Sequence, residues 1–298
     1  MIDIKIKTKI GELQMKKYGI KEQDPFKPIV SVNWHLWPRC NYHCSFCFGH
    51  FKDINPKTLS LDRSVSILHI LKGIGVQKIT FTGGEPLLCP YLGDLLKEAK
   101  SLGFTTMIVS NGSLITQSFL REYHPYIDWI GLSLDSVSDE VEALLGRGYG
   151  GHIKNIRKIV PDIKGYGIKL KINVVVTRLT YKEDLTYLLT ELAPDRLKFF
   201  QVLKIRGEND HAIDSLLISN EQFQEFVNRH RRLNPISESN DLMIGSYIML
   251  DPLGRFFQNF DNKTTYSPSI LDTDPLIALN TIGWDYERFL QRGGIYQW

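Results

Sequence analysis

Cys40-Asn41-Tyr42-His43-Cys44-Ser45-Phe46-Cys47-Phe48 is the stretch on which the reading of this chain turns. Cys40, Cys44 and Cys47 stand in the spacing C-x3-C-x2-C, so one short loop brings three sulfurs together without long-range folding. Thiolates are the usual protein ligands of iron–sulfur clusters. Zinc takes the same soft ligands but closes its tetrahedron with a fourth Cys or His, a place that His43 or His50 could fill. Buried free thiols are a third reading. The cluster fits best, and three thiolates on a four-iron cluster leave one iron open to a ligand that is not protein. That open iron is where chemistry is expected.

With 298 residues the chain has room for two domains, yet an α/β barrel often uses this much sequence as one. A formal net charge of +3 is too small for a protein that coats nucleic acid, so no nucleic-acid polymer is expected as a partner. Four cysteines, three of them in one loop, do not make a disulfide framework. An oxygen-sensitive cluster needs a reducing compartment, and Cys89 reads as a small apolar core residue. No run approaches the ~20 apolar residues that span a bilayer, and the first residues lack a signal-peptide core. The expectation is a cytoplasmic protein without a membrane partner.

Met1 to Lys27 alternates short apolar and charged pieces and reads as an N-terminal strand and connector, residues 1–28. Beyond it, strand-like and helix-like spacings alternate. Strands are expected at Ile29 to Asn33, Lys78 to Phe81, Thr105 to Val109, Trp129 to Leu134, Lys169 to Val176 and Leu197 to Leu203. Helices are expected between them, at Leu61 to Leu71, Tyr91 to Ser101, Gln117 to Tyr123, Ile153 to Ile163 and Lys182 to Leu192. Such alternation implies parallel βαβ units, hence an α/β fold built as a partial (β/α)6 TIM-like barrel over residues 29–205. Residues 206–298 read as a C-terminal extension and lid that closes the active site, with a helix at Asn220 to Arg231 and a hairpin at Tyr247 to Phe257.

Polar residues gather where the expected strands end, which is the face that carries sites in α/β barrels. Thr82-Gly83-Gly84-Glu85-Pro86 follows the second strand; its glycines admit a ligand close to the backbone and Glu85 offers an acceptor. Ser110-Asn111-Gly112, Ser133 with Asp135, and Asn173 stand at later ends. Each alone is a common turn or cap residue; together they would ring one mouth. A second set is basic. Lys78, Lys171, Arg196 and Lys198 lie on or beside strands, where unpaired charge is expensive to bury. Each singly reads as paired or outward-facing, but four on separate strand positions of a nearly neutral protein suggest a shared anion, and a triphosphate suits them. No G-x4-G-K-[ST] loop is present, so this is not a P-loop site.

The cysteine spacing, the aromatic residues beside its last member and the GGEP run resemble the radical S-adenosylmethionine (SAM) enzymes. The series SVN, CNYHCSFCF, GGEP, VSNGSLI, GRGYG, KIN, RLKFFQ, RGEN, ESN, SILD and RGGIYQW is more specific. In that order, from Ser31 to Trp298, it resembles the viperin family, which converts CTP to its 3′-deoxy-3′,4′-didehydro analogue, an antiviral chain terminator; relatives use UTP or GTP. The resemblance implies that Cys40, Cys44 and Cys47 hold a 4Fe–4S cluster, and that Gly83, Gly84, Glu85, Pro86, Ser110, Asn111, Ser133, Arg147 and Asn173 hold SAM. It implies a triphosphate grip by Lys78, Lys171, Arg196, Lys198 and Arg292, a base contact from Asn33, and Tyr247 near the sugar as a catalytic proton source. The reaction it implies is abstraction of the 4′ hydrogen followed by loss of the 3′ hydroxyl as water, in a monomer fed electrons by a flavodoxin or ferredoxin system. Trp34 stands where the family commonly has Tyr, a place where base preference is expected to differ. The vertebrate members' N-terminal membrane helix has no counterpart here, and the chain stops short of their usual final residues. A radical SAM enzyme acting on a peptide or small metabolite, and a non-catalytic zinc or cluster protein, are the rival readings.

Overall fold

Strand β1 (Ser31–Trp37) sets the plan of the molecule: Ser31, Asn33 and His35 face one side, Val32, Trp34 and Leu36 the other. The second set is buried, with Trp34 packed on Phe81 of β2 (Lys78–Gly83) at 6.0 Å between ring centroids. The structure, a computed structural model, describes residues 29–51, 54, 58–260 and 263–297. The N-terminal strand and connector expected at 1–28, and Trp298, lie outside them.

β1 pairs in parallel with β2, and the ladder runs on through β3 (Thr105–Ser110), β4 (Trp129–Ser133), β5 (Lys169–Val176) and β6 (Arg196–Gln201). Helices Leu61–Gly73, Leu92–Ser101, Gln117–Tyr123, His152–Gly165 and Thr186–Leu192 make the crossovers. Their apolar faces, among them Ile67, Leu68, Leu71, Leu95, Leu96, Ile156 and Ile163, cover the outer side of the sheet. Each large apolar side chain buried there contributes roughly 1.5–3 kcal/mol. The inner side carries polar residues among a few apolar ones such as Met107, Val109, Val175 and Phe200. This is the mostly parallel, TIM-like α/β sheet expected from the alternation.

Four further strands extend that sheet, giving the order β10-β9-β8-β1-β2-β3-β4-β5-β6-β7. β7 (Ile236–Glu238) joins β6 in parallel, and β8 (Met249–Leu250) joins β1 in parallel. β9 (Arg255–Phe260) and β10 (Lys263–Ser269) follow as antiparallel partners. The expected hairpin is therefore the β8–β9 pair with β10 added. β7 escaped prediction because three residues carry no period, and only its pairing with β6 makes it a strand.

Two expected boundaries move for tertiary reasons. The first strand begins two residues later and reaches Trp37, because its register with β2 continues past His35 through an irregularity. The helix expected from Lys182 starts at Thr186, since the preceding turn is fixed by Thr180 Oγ1 accepting from Thr177 N (3.0 Å) and His230 Nε2 accepting from Leu185 N (2.8 Å). The helix Asn220–Arg229 begins at a capping box of Ser219 and Gln222, as a sequence signal of this kind predicts. Among the described residues no helix is long and apolar enough to cross a membrane.

Candidate active site

The inner residues of β1 to β6, the cysteine loop and parts of the extension enclose one cavity of about 350 Å³. Every expected site residue lines it except Pro86 and Arg196. Alternation places them: Asn33 on β1, Lys78 on β2, Ser133 on β4, Lys171 and Asn173 on β5, and Lys198 on β6 all fall on the inner set. Trp34 falls on the other set, against Phe81, so it does not reach the cavity and does not set base preference by contact.

The cysteine loop sits over the C-terminal strand ends. His43 N donates to Gly146 O (3.1 Å), Ser45 N to Leu145 O (2.9 Å), and Cys47 N to Cys44 O (3.0 Å), so the loop is braced on the turn that carries Arg147. Two glycines make this approach possible. A Cβ on Gly84 would lie 2.2 Å from Arg39 O, and one on Gly146 (φ 80°) would lie 2.2 Å from His43 O. Burial pushes the Cys44 thiol up to about 12. A thiolate there calls for a metal to replace the proton, which suits the donor set to a cluster. Among the described residues, no three His, Cys, Asp or Glu side chains are grouped to hold a single ion, and a four-iron cluster spreads its thiolates more widely than one zinc does.

Below the loop, Glu85 is buried and accepts from Ser110 Oγ (2.8 Å), Asn111 N (3.0 Å) and Leu87 N (3.1 Å). Burial outweighs these donors and pushes its carboxyl up to about 7. Asn111 Nδ2 donates to Asn41 Oδ1 (2.9 Å) and reaches Cys40 Sγ (3.8 Å), tying this strand end to the cysteines. Pro86 stands behind, starting a short 3-10 turn. Arg147 is fixed by Asp135 (Nε–Oδ2 2.7 Å, Nη2–Oδ2 2.6 Å) and lies 3.5 Å from Glu142, all three buried. Asp135 Oδ1 also accepts from Val175 N (2.7 Å). Sequence reasoning noticed Asp135 beside Ser133 but could not see that it anchors Arg147 across the turn.

The basic set lies at the opposite, N-terminal ends of the strands. Lys78 opens β2, Lys171 and Lys198 are the third residues of β5 and β6, and the register brings Lys171 beside Arg196. Burial, aided by Arg196, Lys198 and Arg292, draws Lys78 down to about 7; burial and the neighbouring lysines hold Lys171 well below its usual range. These cations are crowded into one buried region. Arg196 stands back from the wall: its guanidinium covers the Tyr296 ring at 3.5 Å and donates to Gly293 O (2.9 Å). Tyr296 also meets Lys78 through its hydroxyl and Trp129 at 5.9 Å, so the tail floors the cavity.

The extension closes the remaining side. Arg292 lies over the Tyr247 ring at 3.5 Å and donates from Nε to Ser246 O (3.1 Å). Glu238, at the end of β7, pairs with Lys198 and accepts from Tyr247 Oη. Glu238 was missed, although it begins the ESN run already matched by resemblance; its role is visible only through β7.

The model of the radical SAM superfamily matches residues 34–190. An S-adenosylmethionine-dependent nucleotide dehydratase of Flammeovirga pacifica is 44% identical over 279 residues, covering 91% of this chain and 96% of that one. The chain belongs to this family of radical SAM dehydratases. The S-adenosylmethionine-dependent nucleotide dehydratase RSAD2 of Danio rerio, a further member, is 37% identical over 287 residues, covering 92% of this chain and 79% of that one. The fold is shared more widely: Streptococcus suis SuiB, solved bound to S-adenosylmethionine, superposes with a TM-score of 0.62 at 19% identity, covering 93% of this chain and 69% of that one. As in the rest of the superfamily, the dehydratase carries a 4Fe–4S cluster and uses SAM as co-substrate.

Proposed function

We propose that this dehydratase removes water from a ribonucleoside triphosphate, CTP first among the candidates and UTP or GTP next, to give the 3′-deoxy-3′,4′-didehydro nucleotide that terminates viral chain synthesis. One observation carries the reading: a single cavity has the cysteine loop and SAM-side residues at one end and crowded cations at the other. A nucleotide laid along it would put its triphosphate on Lys78, Lys171, Lys198 and Arg292 and its ribose nearer the cysteines. When bound, the cluster and SAM supply a 5′-deoxyadenosyl radical that takes the 4′ hydrogen.

The chain's own work is placement, since so reactive a species attacks whatever lies nearest. Asn33 faces the base, Glu85 and Asn173 face the SAM side, and Tyr247 holds a proton near the departing hydroxyl. Arg196 acts through Tyr296 and the tail. The barrel at 29–205 thus supplies the SAM side, and the extension at 206–298 supplies Tyr247, Glu238 and Arg292. An external one-electron donor of flavodoxin or ferredoxin type completes the stoichiometry, with the protein working as a monomer.

The test is anaerobic: reconstituted protein, dithionite and SAM are incubated with CTP, UTP, GTP and ATP in parallel, and 5′-deoxyadenosine is measured. One nucleotide should stimulate its release and lose the mass of water; slow SAM cleavage that no nucleotide stimulates sinks the substrate assignment. Lys171→Met should raise the KM for that nucleotide by about 100-fold, because a charge-assisted contact contributes roughly 1.5–3 kcal/mol. An unchanged KM would make the basic set structural.

A pH dependence follows from Lys78. Its free-enzyme value near 7 means that the charged, phosphate-binding form is present below pH 7 and is lost above it. The kcat/KM for nucleotide, which reports the free enzyme, should fall as pH rises through 7 to 8, and Lys78→Arg should move that fall to higher pH.

A further inference from the structure

Glu238 is a carboxylate set among the cations of a site that binds an anion. Its side chain is fully buried at the end of β7, and its two oxygens are divided. Oε1 pairs with Lys198 and lies 3.9 Å from Arg292 Nη1; Oε2 accepts from the Tyr247 hydroxyl. Lys198 Nζ is also 3.5 Å from that hydroxyl, and the Arg292 guanidinium covers the same ring at 3.5 Å. Lys171 and Arg196 complete the charged groups around it. The phenol proton therefore points at Glu238, and toward the cavity Tyr247 offers only lone pairs.

We propose that Glu238 is a positioning residue that couples triphosphate occupancy to the proton-donating state of Tyr247. The inference rests on the nucleotide reading above. A triphosphate that takes Lys198 and Arg292 strips Glu238 of its cationic partners, and a buried carboxylate so exposed to added negative charge takes up a proton. Burial pushes this carboxyl up, and Lys198, Arg292 and the hydrogen bond from Tyr247 together hold it below the usual range. Once protonated, Glu238 donates to Tyr247 and the phenol O–H turns to the sugar. As the C3′–O bond breaks, the phenol proton passes to the departing oxygen to give water. The Glu238 proton then passes to the phenolate oxygen, returning Glu238 to carboxylate and Tyr247 to phenol. One proton taken up on binding is thereby delivered to the leaving group, with no change in the electron count.

The experiment is calorimetric titration of the holoenzyme with the preferred nucleoside triphosphate at pH 7.5 in two buffers of different ionisation enthalpy. Wild type should take up close to one proton beyond those taken up by the nucleotide itself and by the lysines of the site. Glu238→Gln should lose that uptake and bind at least about tenfold more tightly, since a like charge has left the anion site. Its kcat should nevertheless fall about 100-fold, the usual contribution of positioned proton transfer. Glu238→Asp should restore part of both, and Tyr247→Phe should keep the uptake while losing turnover. Equal proton uptake in wild type and Glu238→Gln, with nucleotide bound by both, overturns the coupling and leaves the substrate reading standing. Absence of triphosphate binding by wild type overturns that reading and this inference with it.

Discussion

Cys44→Ala abolishes SAM cleavage and removes the brown colour of the reconstituted protein, because a two-thiolate loop cannot retain a four-iron cluster with one iron open. Burial pushes its thiol up to about 12, so its anionic form depends on iron. Iron and sulfide analysis, visible absorbance and 5′-deoxyadenosine release should fail together while the circular dichroism of the sheet persists. The sheet does not depend on the loop: its core of Trp34, Phe81, Ile130 and Ile172 lies on the opposite face of the strands. A Cys44→Ala protein that still cleaves SAM at the wild-type rate would remove the cluster assignment.

Arg147→Met gives the second large effect, on folding rather than on chemistry alone. Arg147, Asp135 and Glu142 have side chains no more than 7% exposed, and the arginine is the cation that neutralises both carboxylates. Burial, and then Asp135, already push the Glu142 carboxyl up to about 8. Removing one partner of a buried ion pair typically costs about 3–5 kcal/mol, so the midpoint of thermal unfolding should drop by roughly 10 °C. The same turn braces His43 and Ser45, and cluster content should fall with it. Asp135→Asn with Arg147 retained should be milder, since Glu142 still accompanies the arginine. A variant of wild-type stability would show that the triad contributes nothing to the fold.

How much of this was written in the sequence depends on how local each feature is. The cysteine loop, GGEP and the alternation of strands and helices are contiguous or periodic, so spacing alone reveals them; β5, Lys169–Val176, has the bounds that its alternation implies. The same period of two told which side of each strand a residue takes once one inner residue was known. It also puts Trp34 outside the cavity, against the simpler idea that a neighbour of Asn33 must touch the same base. What the sequence could not supply was pairing between distant segments. β7 is three residues long, and only its register with β6 carries Glu238 to Lys198, forty residues away in sequence. The tail beyond Arg292 has no period, and only packing of Tyr296 against Lys78, Trp129 and Arg196 makes it the floor of the site. Residue types and spacings determined the cofactor chemistry, because a cluster needs a particular set of ligands close in sequence. Tertiary structure decided which charges share one buried volume, because electrostatic coupling in a low-dielectric interior depends on distance in space and not on distance along the chain.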